Sequence, residues 1–292
     1  MAAGPSTLPG RRSARRGLAV NAAVTAVLAL AAVAAVALLL WVLAYVAGQG
    51  LRYLGPTFLT RTPPGDPAQA GGGFVNGIIG SVIIVGIATA LSAPIGIAAA
   101  VHLAEYGGRL ARAAGFLTDV LIGLPSIVTG AFVYALWVVN FGFSGLAGAA
   151  ALFLVMLPLV IRATAEVLRL VPDDLREASL ALGASHARTI VSIVLPTARS
   201  GITTGVLLAV ARAVGETAPL LLTALGNDLF VETNPTHRMS TLSLQIFNNA
   251  VTGFRTAQAR AWAGTLTLVL IVLAFSFGAR LLGRRGIAHS AR

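Results

Sequence analysis

Uncharged apolar runs long enough to cross roughly 30 Å of hydrocarbon at about 1.5 Å per residue recur along the chain. The first covers residues 18–47. It is far longer than the apolar core of a signal peptide, so Arg11, Arg12, Arg15 and Arg16 precede a helix that is retained. A Gly- and Pro-rich linker, 48–73, follows it, and the second span covers 74–101 with Pro94 inside. Proline is tolerable there because neighbouring helices can satisfy the freed carbonyl. Residues 120–161 carry no charge and are too long for one crossing, so Asn140-Phe141-Gly142-Phe143-Ser144-Gly145 is predicted to turn the chain between a third and a fourth span. The fifth span is placed at 200–225 and the sixth at 261–279. The predicted fold class is an all-α polytopic membrane protein with six transmembrane helices. An Arg-rich tail (1–17) precedes the first helix, and a transmembrane domain (74–283) is followed by a short tail (284–292).

Composition agrees with a bilayer setting. Hydrophobic residues make up 57% and charged residues 11% of the 292, against about 25% charged in a soluble domain, and the mean hydropathy is +0.85. All 21 basic residues are Arg; with 10 acidic residues they give a net charge of +11. In a soluble protein that would suggest a nucleic-acid partner. Here its placement matters more. With six crossings, 15 of the Arg share a side with both termini and residues 162–199, and 5 lie opposite, with Arg212 inside a span. The positive-inside rule then puts both termini and the 172–197 loop in the cytoplasm, and the 226–260 loop outside. The partner implied by composition is membrane lipid, not nucleic acid.

Enzymatic chemistry finds little footing. There is no lysine to serve a P-loop, no cysteine, no HExxH helix and no GxSxG elbow. His102, His186, His237 and His289 are scattered, each an ordinary helix or loop residue. No catalytic residue, metal site or cofactor is expected, and any energy source lies in another chain.

The 172–197 loop carries the first informative pattern: Glu177-Ala178-Ser179, three residues, Gly183, nine residues, then Ile193-Val194-Leu195-Pro196. Asp174 followed by Glu177 has capping-box spacing, Gly183 can end the helix in the left-handed conformation, and Ser185 can cap a second short helix. That second helix carries Ile190, Ile193 and Val194 on one face, and Pro196 is predicted to stop it. A loop hairpin with no partner fits the capping equally well. The full pattern resembles the EAA coupling loop of type I (MetI-like) ABC-importer permeases, departing from it only at Ser179, where Ala is usual. The resemblance implies that Glu177, Ala178, Ser179, Gly183, Ile193, Leu195 and Pro196 form a coupling helix for a cytoplasmic ATPase.

The fifth span carries the second pattern, Arg212-Ala213-Val214-Gly215-Glu216-Thr217-Ala218-Pro219-Leu220-Leu221. Arg212 and Glu216 are one helical turn apart and are predicted to meet on a single face near the bilayer midplane. At that depth they should face a bundle interior or a wet cavity. Two roles are open: a structural ion pair that fixes packing, or a pathway pair in which the Arg fork receives an oxyanion and Glu216 tempers its hold. The run resembles the signature of phosphate-specific transport (Pst) permeases, and its Ala218-Pro219-Leu220-Leu221 continuation is similar to the PstA type. The segments 123–130 (Gly-Leu-Pro-Ser-Ile-Val-Thr-Gly), Pro94-Ile95-Gly96 with Leu103-Ala104-Glu105-Tyr106, and 239–247 (Met-Ser-Thr-Leu-Ser-Leu-Gln-Ile-Phe) also resemble that family. The resemblance implies a permease subunit with Arg212, Glu216 and Thr217 on the substrate pathway. It also implies a heterodimer with a PstC-like permease, two PstB-like ATPases that use the ATP, and an external phosphate-binding protein. A permease for another oxyanion (molybdate, sulfate or phosphonate), the PstC-type partner itself, or a self-contained carrier are the alternatives. The last would be expected to show inverted repeats, and no convincing repeat is present.

Three weaker signals remain. Asp119 is expected in the first turns of the third span, where the helix dipole favours it. Pro94, Pro125, Pro158 and Pro219 could be hinges, though proline is frequent in membrane helices without that role. Gly71-Gly72-Gly73 could cradle an anion, but a flexible entry into the second span is the simpler expectation.

Overall fold

The computed structural model describes residues 11–290; residues 1–10, most of the expected N-terminal tail, and the last two of the C-terminal tail lie outside them. The chain divides into two units, one ending at Gly48 and one comprising Gln49–Arg292. The first is built from α1 (Arg11–Gly50), which starts within the Arg-rich stretch rather than at residue 18 and ends three residues later than expected. With no charge between Arg16 and Arg52, nothing in the sequence breaks it.

The second unit begins with α2 (Pro56–Thr60), α3 (Val75–Val101) and a π-helical turn (His102–Tyr106). Next come α4 (Gly108–Gly123), α5 (Ser126–Val133), a π turn (Tyr134–Val138) and α6 (Val139–Phe141). α7 (Gly145–Arg169), α8 (Asp173–Ala181), α9 (His186–Thr189) and a π turn (Ile190–Val194) follow. The chain ends with α10 (Leu195–Val214), α11 (Ala218–Leu221), α12 (Leu242–Ala250) and α13 (Arg255–Ser290). Helices dominate because a backbone in hydrocarbon must satisfy its own hydrogen bonds. Among the described residues only one isolated bridge, Leu225 with Met239, interrupts them.

Among the described residues, five helices are long and apolar enough to cross a membrane. A sixth is made by α4 with α5–α6 if the pair counts as one span, although it bends by 104°. Pro125 is the cause. It has no N–H to donate, and the residue before it, Leu124, is forced to extended backbone (φ −74°, ψ 134°). The expected third span therefore begins earlier than residue 120 and is broken, and Asp119 sits late in α4 rather than in a first turn. The turn at 140–145 is where it was expected: Gly142 takes φ 82°, and Ser144 caps α7 by accepting from the Ala147 N–H at 3.1 Å.

Close backbone approach holds the bundle, as expected where apolar lipid gives no hydrophobic drive between helices. A Cβ added to Gly96 would lie 2.7 Å from Val160, and one on Gly201 2.5 Å from Val167. The same contacts fix direction. Gly148 faces Ile84 and Gly96 faces Val160, so α3 and α7 run parallel; Gly201 faces Val167 and Gly205 faces Ala163, so α10 runs against α7. Thr204, midway along α10, donates to the Ala279 carbonyl in the second half of α13, so α13 also runs against α10. One end of the unit thus gathers the exits of α3, α7 and α13 with the α8–α9 hairpin, and the other gathers the linker and the 226–254 segment. The core between them is Ile84, Leu152, Met156, Val160 and Leu220, all fully buried.

The fifth long helix is a correction. It runs from His186 to Val214, not from 200 to 225, because Pro196 does not stop it. The π turn immediately before the proline widens the helix: the Leu195 N–H reaches back to the Ile190 carbonyl, giving the ring room where an α-turn would clash. The sixth likewise starts earlier, at Arg255, and α13 continues through the first residues of the expected C-terminal tail. Buried Arg260 donates to the carbonyls of Pro67 (3.1 Å) and Gln69 (2.7 Å), pinning the linker. Gly73 packs so tightly that a Cβ there would strike the backbone of Phe58. The end of the glycine run, Gly72 and Gly73, is thus packed against Pro64 and Phe58, while Gly71 stays exposed.

Candidate functional site

Two places collect the residues singled out from the sequence, and they lie at different levels of the second unit. At the hairpin end, α8 does not start with a capping box. Its N-cap is Pro172, with no side-chain cap, and Asp173 and Asp174 already occupy the first turn, where the helix dipole favours them. Asp173 is drawn instead to Arg176 at 2.9 Å. The end of α8 follows the expectation closely. Gly183 takes φ 82°, its N–H donates to the Leu180 carbonyl (2.9 Å), and the Ala184 N–H donates to the Ser179 carbonyl (3.2 Å). That pair of bonds is a Schellman motif, which only a residue tolerant of positive φ completes without strain. Ser185 then caps α9, accepting from the Arg188 N–H at 3.3 Å.

Ser179, the departure from the usual pattern, has a local purpose: its hydroxyl and that of Thr189 bond each other at 2.9 Å, tying α8 to α9. Glu177 and Ala178 face solvent, as do Leu175, Leu180 and Leu182, so the hairpin presents an exposed apolar surface with one carboxylate. Ile193, Leu195 and Pro196 belong instead to the root of the long fifth helix: Ile193 and Leu195 are half-buried there, Leu195 against the cluster that holds buried Leu168, Val194 and Ala198, while Pro196 is exposed.

Sequence reasoning missed the residue that anchors the hairpin. Arg176 donates to Glu105 (3.0 Å), to the Leu168 carbonyl (2.9 Å), to the Val171 carbonyl and to Asp173. Glu105, whose side chain is only 4% exposed, holds the guanidinium more firmly protonated than usual, against the opposing effect of burial. The two partners are 71 residues apart, and no local periodicity announces such a pair.

The second place is a helix break. α10 ends at Val214; the Gly215 N–H turns back to the Arg212 carbonyl and the Glu216 N–H to the Ala213 carbonyl, each at 3.1 Å. Thr217 occupies the turn, and α11 starts beyond it with Pro219 in its first turn. Glu216 thus lies past the helix end rather than on a continuous helical face. The side chains still meet: Arg212 Nε is 3.6 Å from Glu216 Oε1, an ion pair too long for a hydrogen bond. Arg212 is 62% exposed and Glu216 14%, and among the described residues no other carboxylate pairs with Arg212.

Two neighbours brace the break. Ser243, at the start of α12, donates to the Glu216 carbonyl at 2.9 Å, and a Cβ on Gly130 of α5 would lie 2.6 Å from the Pro219 Cα. The bent third segment and the broken fifth therefore pack on each other.

Comparison with known proteins gives a consistent picture. Residues 92–286 match the family described as the binding-protein-dependent transport system inner membrane component. The chain is 44% identical over 248 residues to the phosphate transport system permease protein PstA of Yersinia pestis, covering 84% of this chain and 83% of that one. It is 43% identical over 220 residues to PstA 1 of Mycobacterium tuberculosis H37Rv, covering 74% and 71%. Among solved structures it is similar to the inward-facing MetNI methionine ABC transporter, with TM-score 0.59, 18% identity, and coverage of 73% of this chain and 95% of that one. It is similar as well to an amino acid ABC transporter solved with histidines, with TM-score 0.57, 18% identity, and coverage of 72% and 92%. At that identity the structures speak for the fold alone: an all-helical polytopic membrane protein of the ABC-importer permease type.

Proposed function

The chain belongs to the PstA family of phosphate transport system permeases, and from that membership we propose how its parts divide the work. It is the non-catalytic, multi-pass inner-membrane component of an ABC phosphate transport system, with ATPase and binding-protein partners. The proposed assembly pairs it with a PstC-like permease, two PstB-like ATPases and an external phosphate-binding protein. Six crossings, the third of them the bent α4–α6 segment, put both termini and the α8–α9 hairpin in the cytoplasm. The common end of α3, α7 and α13 supports that arrangement, as does the Arg count of 15 against 5. A reporter fused after Arg292 should read cytoplasmic; alkaline phosphatase activity there would reverse every loop.

The hairpin is proposed to dock an ATPase through Glu177, Ala178 and the exposed leucines of α8, with Ser179 and Gly183 setting its shape. The translocation route is proposed to pass the α10–α11 break, lined by Arg212, Glu216 and Thr217. One observation carries this reading. A guanidinium at membrane depth, mostly exposed on its own chain and held by a single loose ion pair, needs a wet cavity or a partner subunit beside it. Its remaining donors are free for an oxyanion, and the planar fork suits phosphate oxygens. Phosphate uptake by the reconstituted complex, with sulfate and molybdate in excess, tests the substrate. Unlabelled phosphate alone should compete, and inhibition by either of the others would shift the assignment to a different oxyanion.

A further inference from the structure

We propose that Arg176 is the joint through which displacement of the α8–α9 hairpin reaches the membrane helices, by way of Glu105 on α3 and the last carbonyls of α7. The proposal rests on the reading of that hairpin as an ATPase dock. It assigns the transmission of motion to a residue that faces away from the docking surface.

α8 has no fully buried residue, so little apolar packing holds it to the bundle. Its attachments are chain continuity at both ends, the Ser179–Thr189 bond to α9, and Arg176. Arg176 is the one charged group that links α8 to the end of another membrane helix, among the described residues. Three elements meet on its guanidinium: Glu105 in the π turn that ends α3, the carbonyls of Leu168 and Val171 where α7 runs out, and Asp173 at the start of α8 itself. A cation at a helix C-terminus satisfies carbonyls that have no partner within the helix, and a charged, multiply bonded guanidinium is directional, so it transmits displacement that an apolar contact would let slip. The turn that carries Glu105 closes on Gly107, with φ 65° and a bond from its N–H to the His102 carbonyl, so the carboxylate sits on a defined corner. Glu177 and Ala178, next in sequence, point outward. A push on that face therefore enters the bundle through the adjacent inward-facing side chain.

The test uses the whole complex with its ATPases and binding protein in liposomes, measuring phosphate uptake and ATP hydrolysis together. Arg176→Met keeps the length of the side chain and removes the charge and donors. ATP hydrolysis should persist within about twofold, while phosphate carried per ATP falls about tenfold, the scale at which one residue in a coupled network acts. A purely structural Arg176 predicts that uptake and hydrolysis fall in proportion, leaving the ratio unchanged, and that result would overturn the proposal. Where Arg176→Met fails to assemble, Glu105→Gln leaves the other three acceptors in place and should still lower the ratio; an unchanged ratio again overturns it. The chain has no cysteine of its own, so Glu105→Cys with Arg176→Cys gives a single thiol pair within it for a bis-thiosulfonate to bridge, with the cysteine-free chain in the same complex as the control. Bridging should restore the ratio and reduction abolish it, whereas a bridged variant that stays uncoupled speaks against the joint. Failure of the unmodified complex to hydrolyse ATP or carry phosphate would instead count against the docking and transport reading.

Discussion

Arg212→Gln should abolish phosphate uptake while the chain still inserts and still binds its ATPase. Glutamine keeps a polar side chain at the break but removes the charge, and losing a charged hydrogen-bond partner of a desolvated anion costs roughly 3 kcal/mol, about two powers of ten. Assembly should survive because the backbone bonds at the break, from the Glu216 N–H to the Ala213 carbonyl and from Ser243 to the Glu216 carbonyl, do not involve the Arg212 side chain. Glu216→Gln should retain more transport, since the anion-attracting charge remains. Uptake assays on membranes with matched protein levels check the order. Equal uptake by both variants, or loss of the complex in either, would favour a packing pair.

Gly183→Val, in the α8–α9 hairpin, should uncouple transport without unfolding the spans. A Cβ at Gly183 would meet nothing within 4 Å, so the penalty is conformational rather than steric. At φ 82° an L residue pays roughly 1–2 kcal/mol, and a β-branched one is a genuine outlier, so the Schellman turn opens and α8 is misplaced against α9. Uptake should fall at least about tenfold on that scale, with membrane insertion unchanged. Gly183→Asn is the control: asparagine tolerates the left-handed region and should keep most of the uptake. Normal transport in Gly183→Val would make the hairpin a passive loop.

What was legible in the chain was local. Gly183 and Ser185 carry turn and capping chemistry within three residues, and both act as expected. Long uncharged runs announce spans, and the turn at Gly142 is set by residues beside it. Boundaries failed where a neighbouring turn compensated for a local rule. Pro196 should end a helix, but the π turn at Ile190–Val194 absorbs it, and the fifth helix begins some four turns early. The reverse error arose at Pro125, where the bend was unforeseen because the uncharged run continues through it. Arg212 and Glu216 have helical spacing, yet Gly215 ends the helix between them, and what keeps the side chains together is the turn. Contacts between distant segments were invisible: Glu105 with Arg176, Ser243 with Glu216, and Arg260 with the linker each join residues that no short pattern relates.

The claim that a charged helix break lines the anion's route is tested most directly by the double variant Arg212→Leu with Glu216→Leu, assayed for ATP-driven phosphate uptake in the reconstituted complex. Arg212 is mostly exposed on its own chain, so leucines at the pair leave the chain's own packing intact; assembly should persist either way and uptake alone decides. With a pathway role for Arg212, the double variant assembles, hydrolyses ATP and carries no phosphate. Uptake at the level of the unmodified complex would contradict the account and leave the pair as packing.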